Sequence, residues 1–560
     1  MSTKVELPET QKAEAFTTVV NTEFVQKAED LLPSLHTWPR KPRGAIKFAP
    51  DTSAYSGLTA SMTHSIPEFE TLTWGRNDEF VLDFGIHMVG HLAFTINPLG
   101  LNIDAPCRLR LTFGESPIDV TETMDDVQTW ISTSWLPDEV VNIDIMPATI
   151  SLPRRYAFRY LRVQVVDTSP KYRVQFSDVV CNATSAVAPS QSIERFTFPD
   201  PALRALDDVS TFTLRDCMQT VFEDGPRRDK RLWLGDLRLQ ALVNYVTFKD
   251  YDLVKRNLYM FAALPRDDGS LPACVFEKPV LASASDYIVD YDVLFGAVVH
   301  DYVVASGDIV TGKDLWDTIQ GSLRCGLSHL DPDTHAFDSS RSSKWKFLDW
   351  ADGLDTSAGL HGVLLYTLRK VDELAVLLSK PQQFSNTISQ MEVAAHTFVF
   401  STPTPTVVSG PDSQLSLMSA SWLALSSALP SEIITPALLY ALHTKPPTVL
   451  HPLTPYAWHH VAHALAHLGQ LEECVELLHK YWGGMVRAGA TTFWECFDSE
   501  NARASPYGDV RNNSFCHAWS CTPAWLLREK DLGLREYLDI TSAGQETVAE
   551  IEERWLLNHP

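Results

Sequence analysis

The sequence predicts an N-terminal antiparallel β-sandwich followed by a larger all-α domain. Three observations predict it. From about residue 70 to 185 apolar residues recur at period two. Past about residue 195 they recur at the helical period. A chain of 560 residues is also too long for one core of ordinary size.

Residues 1–45 form a polar N-terminal segment and a Pro-rich, basic, extended lead-in, "PSLHTWPRKPRGAIKFAP" running on to residue 50. The sandwich is assigned to 46–190. "EFVLDFGIHMVGHLAFTI" (79–96) predicts a strand, a turn around Gly85 to Gly90, and a second strand. "CRLRLTFGES" (107–116) alternates, with Leu109, Leu111 and Phe113 on one face and Arg108, Arg110 and Thr112 on the other. "YAFRYLRVQVVD" (156–167) opposes Leu161, Val163 and Val165 to Arg162 and Gln164. The helical domain is assigned to 195–530. Leu203, Leu206, Val209, Phe212 and Leu214 make a stripe, and further helices are expected at 237–248, 292–308, 361–379, 415–429, 456–469 and 470–489. No repeat of fixed period runs through them, which favours a closed helical toroid over a solenoid. Residues 531–560 are left as a short C-terminal extension.

Composition narrows the function. The formal charge of −24 disfavours nucleic acid or an anionic membrane as partner. No basic start with an apolar run opens the chain, and no stretch is long enough to span a bilayer. The nine cysteines lack a CxxC pair, which predicts reduced, buried thiols and a cytoplasmic protein. Fifteen tryptophans offer flat apolar platforms that suit sugar rings.

Five clusters could carry chemistry. "FEDGPRRDKRLWLGD" (222–236) holds Glu223, Asp224, Asp229 and Asp236 beside Arg227, Arg228, Lys230 and Arg231, with Trp233 among them. Its plainer reading is a solvated, salt-bridged helix start. In "AGATTFWECFDSE" (488–500), Glu495 follows Phe493 and Trp494. Such flanks predict desolvation and a raised pKa, against a capped helix start with a structural Glu. "SFCHAWSCTPAWLL" (514–527) carries His517, and "KWKFLDWADG" (344–353) sets Asp349 beside Trp350. His459, His463 and His467 recur every fourth residue, but no acid joins the stripe, so an interhelical face is preferred to a metal site.

The loop "DGPRRDKRLWLGD" resembles the signature of glycoside hydrolase family 78, the α-L-rhamnosidases: Asp-x-Pro-x-Arg, an optional Asp, Glu-Arg, then Trp-x-Gly-Asp. "GATTFWE" is similar to that family's Gly-Ala-Thr-Thr-x-Trp-Glu. Asp349-Trp350, "HAWSCTPAWLL" and the strands before residue 190 also resemble family segments, over roughly residues 70–530. The resemblance implies an (α/α)6 barrel behind the β-sandwich, inverting chemistry, no cofactor and no metal. By position, Glu495 would be the general base, while Asp224, Asp236 and His517 would hold sugar hydroxyls. Arg228, Trp233, Asp349, Trp350 and Trp494 complete the expected sugar-binding set. One departure matters: Lys230 stands where the family has its general-acid Glu, in a loop one residue shorter. Asp229 is the natural substitute.

The expected protein is an inverting α-L-rhamnosidase-like hydrolase of small glycosides, with no nucleic-acid or membrane partner and with homo-oligomerisation left open. Two rivals stand beside it. One is an α-L-glycosidase whose Lys230 binds an anionic sugar. The other is a sugar-binding protein without catalysis.

Overall fold

A computed structural model describes residues 16–401 and 404–559. The first fifteen residues of the expected polar segment lie outside the described residues.

The period-two region forms one nine-stranded antiparallel sheet. Its spine is a single 22-residue strand, Glu79–Gly100. The turn expected over Gly85 to Gly90 is instead an irregularity inside this strand. Pairing with Tyr156–Asp167 shifts register between Asp83 and Met88. The Asp83 carboxylate accepts the Gly85 N–H at 2.7 Å and holds the bend. The first half of the spine pairs with Gly44–Pro50 and Tyr156–Asp167. The second half pairs with Tyr172–Ser185 and Ala148–Ser151. Leu82, Leu92, Leu109, Leu111, Phe158 and Val174 fill the core between them. Thr112, expected on the polar face, is buried, where its hydroxyl donates to Asp138 at 3.1 Å. The lead-in is also corrected: His36–Arg40 and Gly44–Pro50 are strands of the sheet.

Six helical segments then pack in a closed ring. Leu234–Val246 packs on Val289–Ser306, which packs on Ser357–Leu377. Leu417–Leu425 and Pro455–His467 follow, and residues 518–528 return to Leu234–Val246. Val289–Ser306 is buried along nearly all its length, as a helix covered on every side must be. Outer helices pack around this ring, and Leu471–Lys480 buries one stripe only, Cys474, Leu477 and Leu478. Three of these, Tyr251–Ala262, Trp316–Ser328 and Ser431–His443, were not anticipated from the sequence. The histidine stripe is interhelical, with His459 and His463 packed on Trp525 at 5.5 and 4.9 Å. Among the described residues no helix is long and apolar enough to cross a membrane.

The first and last described segments both pack against the helical domain. Helix Thr22–Asp30 sets Phe24 against Tyr259, with ring centres 5.3 Å apart. The expected short C-terminal extension is folded over residues 531–559: Thr541–Thr547 pairs with Ser192–Thr197, and Trp555 packs edge-on against Phe212.

Charges bind the sheet to the helices. His87 is buried, with Nδ1 2.7 Å from Asp216 and Nε2 2.9 Å from Glu115. Asp119 takes the Arg227 guanidinium at 2.8 and 3.0 Å, and Arg155 donates to both Glu223 oxygens at 2.6 and 2.8 Å. The loop 222–231 is thereby anchored to the β-domain.

Candidate active site

The loop 222–231 and helix Leu234–Val246 line one side of a cavity of about 270 Å³. Asp224, Arg228, Asp229, Trp233, Asp236, Trp350, Glu495 and His517, all predicted from the sequence, meet there. Nearly all these charges are buried, so the solvated reading of the loop does not hold.

The local backbone explains the placement. Asp229 and Lys230 are consecutive residues in the left-handed region, at φ 46° and 54°. Each such residue costs roughly 1–2 kcal/mol, which surrounding contacts must offset. The Asp224 carboxylate does part of this by accepting the Arg231 N–H at 3.1 Å. The tight turn sends the two side chains opposite ways. Asp229 faces the cavity, while Lys230 donates to the Arg155 carbonyl at 2.9 Å. Gly235 opens the following helix, and a Cβ there would lie 2.2 Å from the Tyr291 ring that lines the cavity.

One guanidinium joins the two candidate catalytic carboxylates. Arg228 Nη1 lies 3.2 Å from Asp229 Oδ1, and Nη2 donates to Glu495 Oε1 at 2.7 Å. Glu495 also accepts the Tyr507 hydroxyl and the Ser514 N–H, the latter at 2.8 Å. The expectation of a raised Glu495 pKa is therefore corrected. Burial pushes it up, but the Arg228 guanidinium, with the Tyr507 hydroxyl and the Ser514 N–H, outweighs burial and holds it below the usual range.

The other acids behave oppositely. Burial pushes Asp224 well up, helped by Asp229 and Asp236. Burial and then the Glu495 charge push Asp236 well up. Burial lowers His517 to about 4, against the pull of Glu495, so its ring is neutral near pH 7. Asp236 Oδ1 and His517 Nδ1 lie 3.6 Å apart, and neither has a hydrogen-bond partner within the protein. Buried polar atoms without partners mark a place where a ligand supplies them.

Two comparisons decide the family. The N-terminal domain model of glycosyl hydrolase family 78 α-rhamnosidases matches residues 42–183. The bacterial α-L-rhamnosidase six-hairpin glycosidase domain matches 192–418 and 450–530. A rhamnosidase from Klebsiella oxytoca, solved with rhamnose bound, is 38% identical, with TM-score 0.87, over 92% of this chain and 99% of its own. The chain belongs to glycoside hydrolase family 78.

The ring of helices is accordingly the family's (α/α)6 glycosidase domain. A Bacillus sp. GL1 family 78 rhamnosidase shares the fold at 20% identity and TM-score 0.69, over 84% of this chain and 49% of its own. So does a Streptomyces avermitilis α-L-rhamnosidase at 17% and 0.62, over 89% and 44%. No curated protein matches the chain.

Within this family 78 site, two expected sugar contacts fall elsewhere. Asp349 does not line the cavity. It accepts the N–H groups of Leu453 and Thr454 at 2.6 and 3.1 Å and the Thr454 hydroxyl at 2.6 Å, fastening the start of Pro455–His467. Burial raises its pKa to about 6. Trp494 turns away from the cavity to pack on Tyr55 and Phe515. Lys230 is outside it as well, which removes the contact on which an anionic-sugar specificity would rest. Burial, then Arg155, lower Lys230 to about 8. Glu223 is engaged by Arg155 and does not face the cavity.

Sequence reasoning missed Tyr507, which bonds Glu495, and it missed Trp130 and Trp135, which the β-domain inserts into the cavity wall. Tyr507 lies in a loop without periodicity. The two tryptophans precede it by more than 370 residues, and no local pattern links them to a helical site.

Proposed function

We propose that the protein releases terminal α-L-rhamnose from small glycosides with inversion, using Glu495 as general base and Asp229 as general acid. The observation that carries the base assignment is the Arg228 bridge, and Asp229 is assigned as acid because it faces the same cavity where Lys230 does not. The bridge holds two carboxyl groups at opposite arms of one planar fork and keeps Glu495 ionised, as a base must be. In the proposed step Glu495 takes a proton from water as the water oxygen bonds to the anomeric carbon. The glycosidic C–O bond breaks, and Asp229 delivers its proton to the departing oxygen. Asp236 Oδ1 and His517 Nδ1 receive sugar hydroxyls, which supply the partners they lack. That the Klebsiella protein was solved with rhamnose bound supports L-rhamnose as the sugar.

The acid assignment is tested by leaving group. Nitrophenolate departs with little help, whereas an alkoxide must be protonated. Asp229→Asn should therefore damage hydrolysis of an alkyl or sugar rhamnoside far more than that of nitrophenyl rhamnoside. Glu495→Gln should damage both alike. Equal losses in Asp229→Asn would remove Asp229 as the acid. For inversion, the carboxyl groups need the roughly 6.5–9.5 Å spacing that admits a water. NMR of the first product should show β-L-rhamnose, and early α-anomer would exclude Glu495 as a base acting on water.

A further inference from the structure

We propose that a second pocket, beside the segment that carries Glu495, binds a small organic ammonium ion with an apolar body. The inference goes beyond the rhamnosidase reading and does not rest on it.

The pocket has a volume of about 260 Å³. It lies between helix Leu471–Lys480, the C-terminal end of Ser431–His443, residues 451–458 and residues 497–499. It shares no lining residue with the catalytic cavity, although Phe497 in its wall follows Glu495 by two residues. Its floor is apolar: Leu453, Leu477, Trp458, Tyr481 and Phe497. The Tyr481 ring stands 5.3 Å from that of Trp458 and 5.6 Å from that of Phe497, at 75° to the latter. Two rings at nearly a right angle make a corner in which a compact apolar group meets aromatic surface on two sides.

The rim is acidic. Leu477, Tyr481 and Phe497 are buried, whereas Glu473 and Asp498 are partly exposed and Glu476 is exposed. Asp498 accepts the Glu500 N–H at 2.9 Å. Among the described residues the Glu473 and Glu476 carboxylates have neither an ion pair nor a hydrogen bond. Lys480 and His443 share the rim, and no ion pair joins either of them to these acids. Three carboxylates therefore face one ammonium and one imidazole. Nor does any cation of the described residues lie over the rings of Trp458, Tyr481 or Phe497.

This division selects the ligand. Two neutral donors of the lining are already engaged within the protein. The Tyr481 hydroxyl donates to the Leu453 carbonyl at 3.3 Å, and His451 Nε2 lies 3.1 and 2.9 Å from the carbonyls of Ala441 and Thr444. What the rim mostly offers is acceptors that carry negative charge. Such acceptors suit a ligand that brings N–H donors and a positive charge. The aromatic floor attracts the same cation and packs against its apolar body. An anion would meet three like charges, and a polyol would leave the aromatic corner unfilled.

Two probes with one carbon skeleton, 2-phenylethylammonium and 2-phenylethanol, test the proposal by ligand-observed NMR titration of the full chain near neutral pH. The ammonium should bind about tenfold tighter than the alcohol, the order expected of partly exposed charge-assisted contacts together with a cation over an aromatic ring. Glu473→Gln/Glu476→Gln should remove most of that advantage and leave the alcohol within about twofold, because only the charge is lost. Trp458→Ala should weaken both probes by about fivefold or more through lost packing. If Trp458→Ala does not give a cooperative urea transition, the double Gln variant decides alone. Equal binding of the two probes by the wild-type protein, no binding of the ammonium, or an unchanged ammonium affinity in the double Gln variant overturns the site. So does displacement of the ammonium by free L-rhamnose, which would put the probe in the catalytic cavity. Each of these outcomes leaves the rhamnosidase reading standing.

Discussion

At the scale of single residues, Arg228 is the group on which the others depend. Its planar fork reaches Asp229, Glu495 and the Asn512 carbonyl, with Tyr507 under its face at 4.4 Å. Lysine is a point charge and cannot span these partners. Arg228→Lys should therefore let the Glu495 pKa rise. A base is active only when ionised, so the acidic limb of kcat/KM should move to higher pH, by about one unit or more for a lost charge-assisted bond. An unmoved acidic limb with lowered activity would show that Arg228 binds substrate and does not tune the base. Arg228, Asp229 and Glu495 could be read from the sequence because their motifs keep them on short constrained segments. Asp349 and Trp494 had the same aromatic surroundings, yet one fastens a helix and the other packs in a core. Neighbours in sequence report that a group will be buried. They do not report which way it points.

At the scale of elements, the periodicities located strands and helices well wherever one face is buried. They failed where burial is two-sided or where backbone geometry decides. Val289–Ser306 is buried on nearly every side, Asp290 and Asp292 of its first turn included, so no exposed polar stripe marks its start at Val289. The spine strand continues through Gly85 because the Asp83 carboxylate bridges the bend. The contact between this strand and helix Pro201–Cys217 makes a further prediction. His87 sits at the bend of the strand, between Asp216 of that helix and Glu115, with Cys516 beside it. Burial alone would lower its pKa, but Cys516, Asp216 and Glu115 raise it well above the usual value. A raised folded pKa means stability that is fully present below about pH 6.5, the unfolded value, and lost as pH rises through the folded one. His87→Ala should cost about 3–5 kcal/mol at pH 6, as expected for breaking a buried ion pair from one side. The difference from wild type in urea midpoints should narrow towards alkaline pH. A difference that widens with pH would show that His87 is neutral in the native protein.

At the scale of the whole molecule, two domains legible as separate period-two and helical regions share one active site and one closure. The sheet contributes Trp130 and Trp135 to the cavity and pins the loop 222–231 through Asp119 and Arg155. The C-terminal residues close the assembly in turn. Glu552 meets Arg40 of the sheet and Arg215 of helix Pro201–Cys217 at once, so its carboxylate joins the two domains. Trp555 covers Phe212, and Thr541–Thr547 covers the backbone of Ser192–Thr197, the strand that links the domains. Trp555→Ala alone should cost about 3–5 kcal/mol by leaving a cavity. Deleting 531–560 removes that packing, the strand pairing and the Glu552 charge together. Their sum is comparable with the 5–15 kcal/mol that separates most folded proteins from their unfolded state. The truncated chain should therefore be insoluble or lack a cooperative urea transition, although every residue lining the cavity remains. A soluble truncated chain with the wild-type urea midpoint would show that the contacts of His87, Asp119 and Arg155 suffice to hold the two domains together.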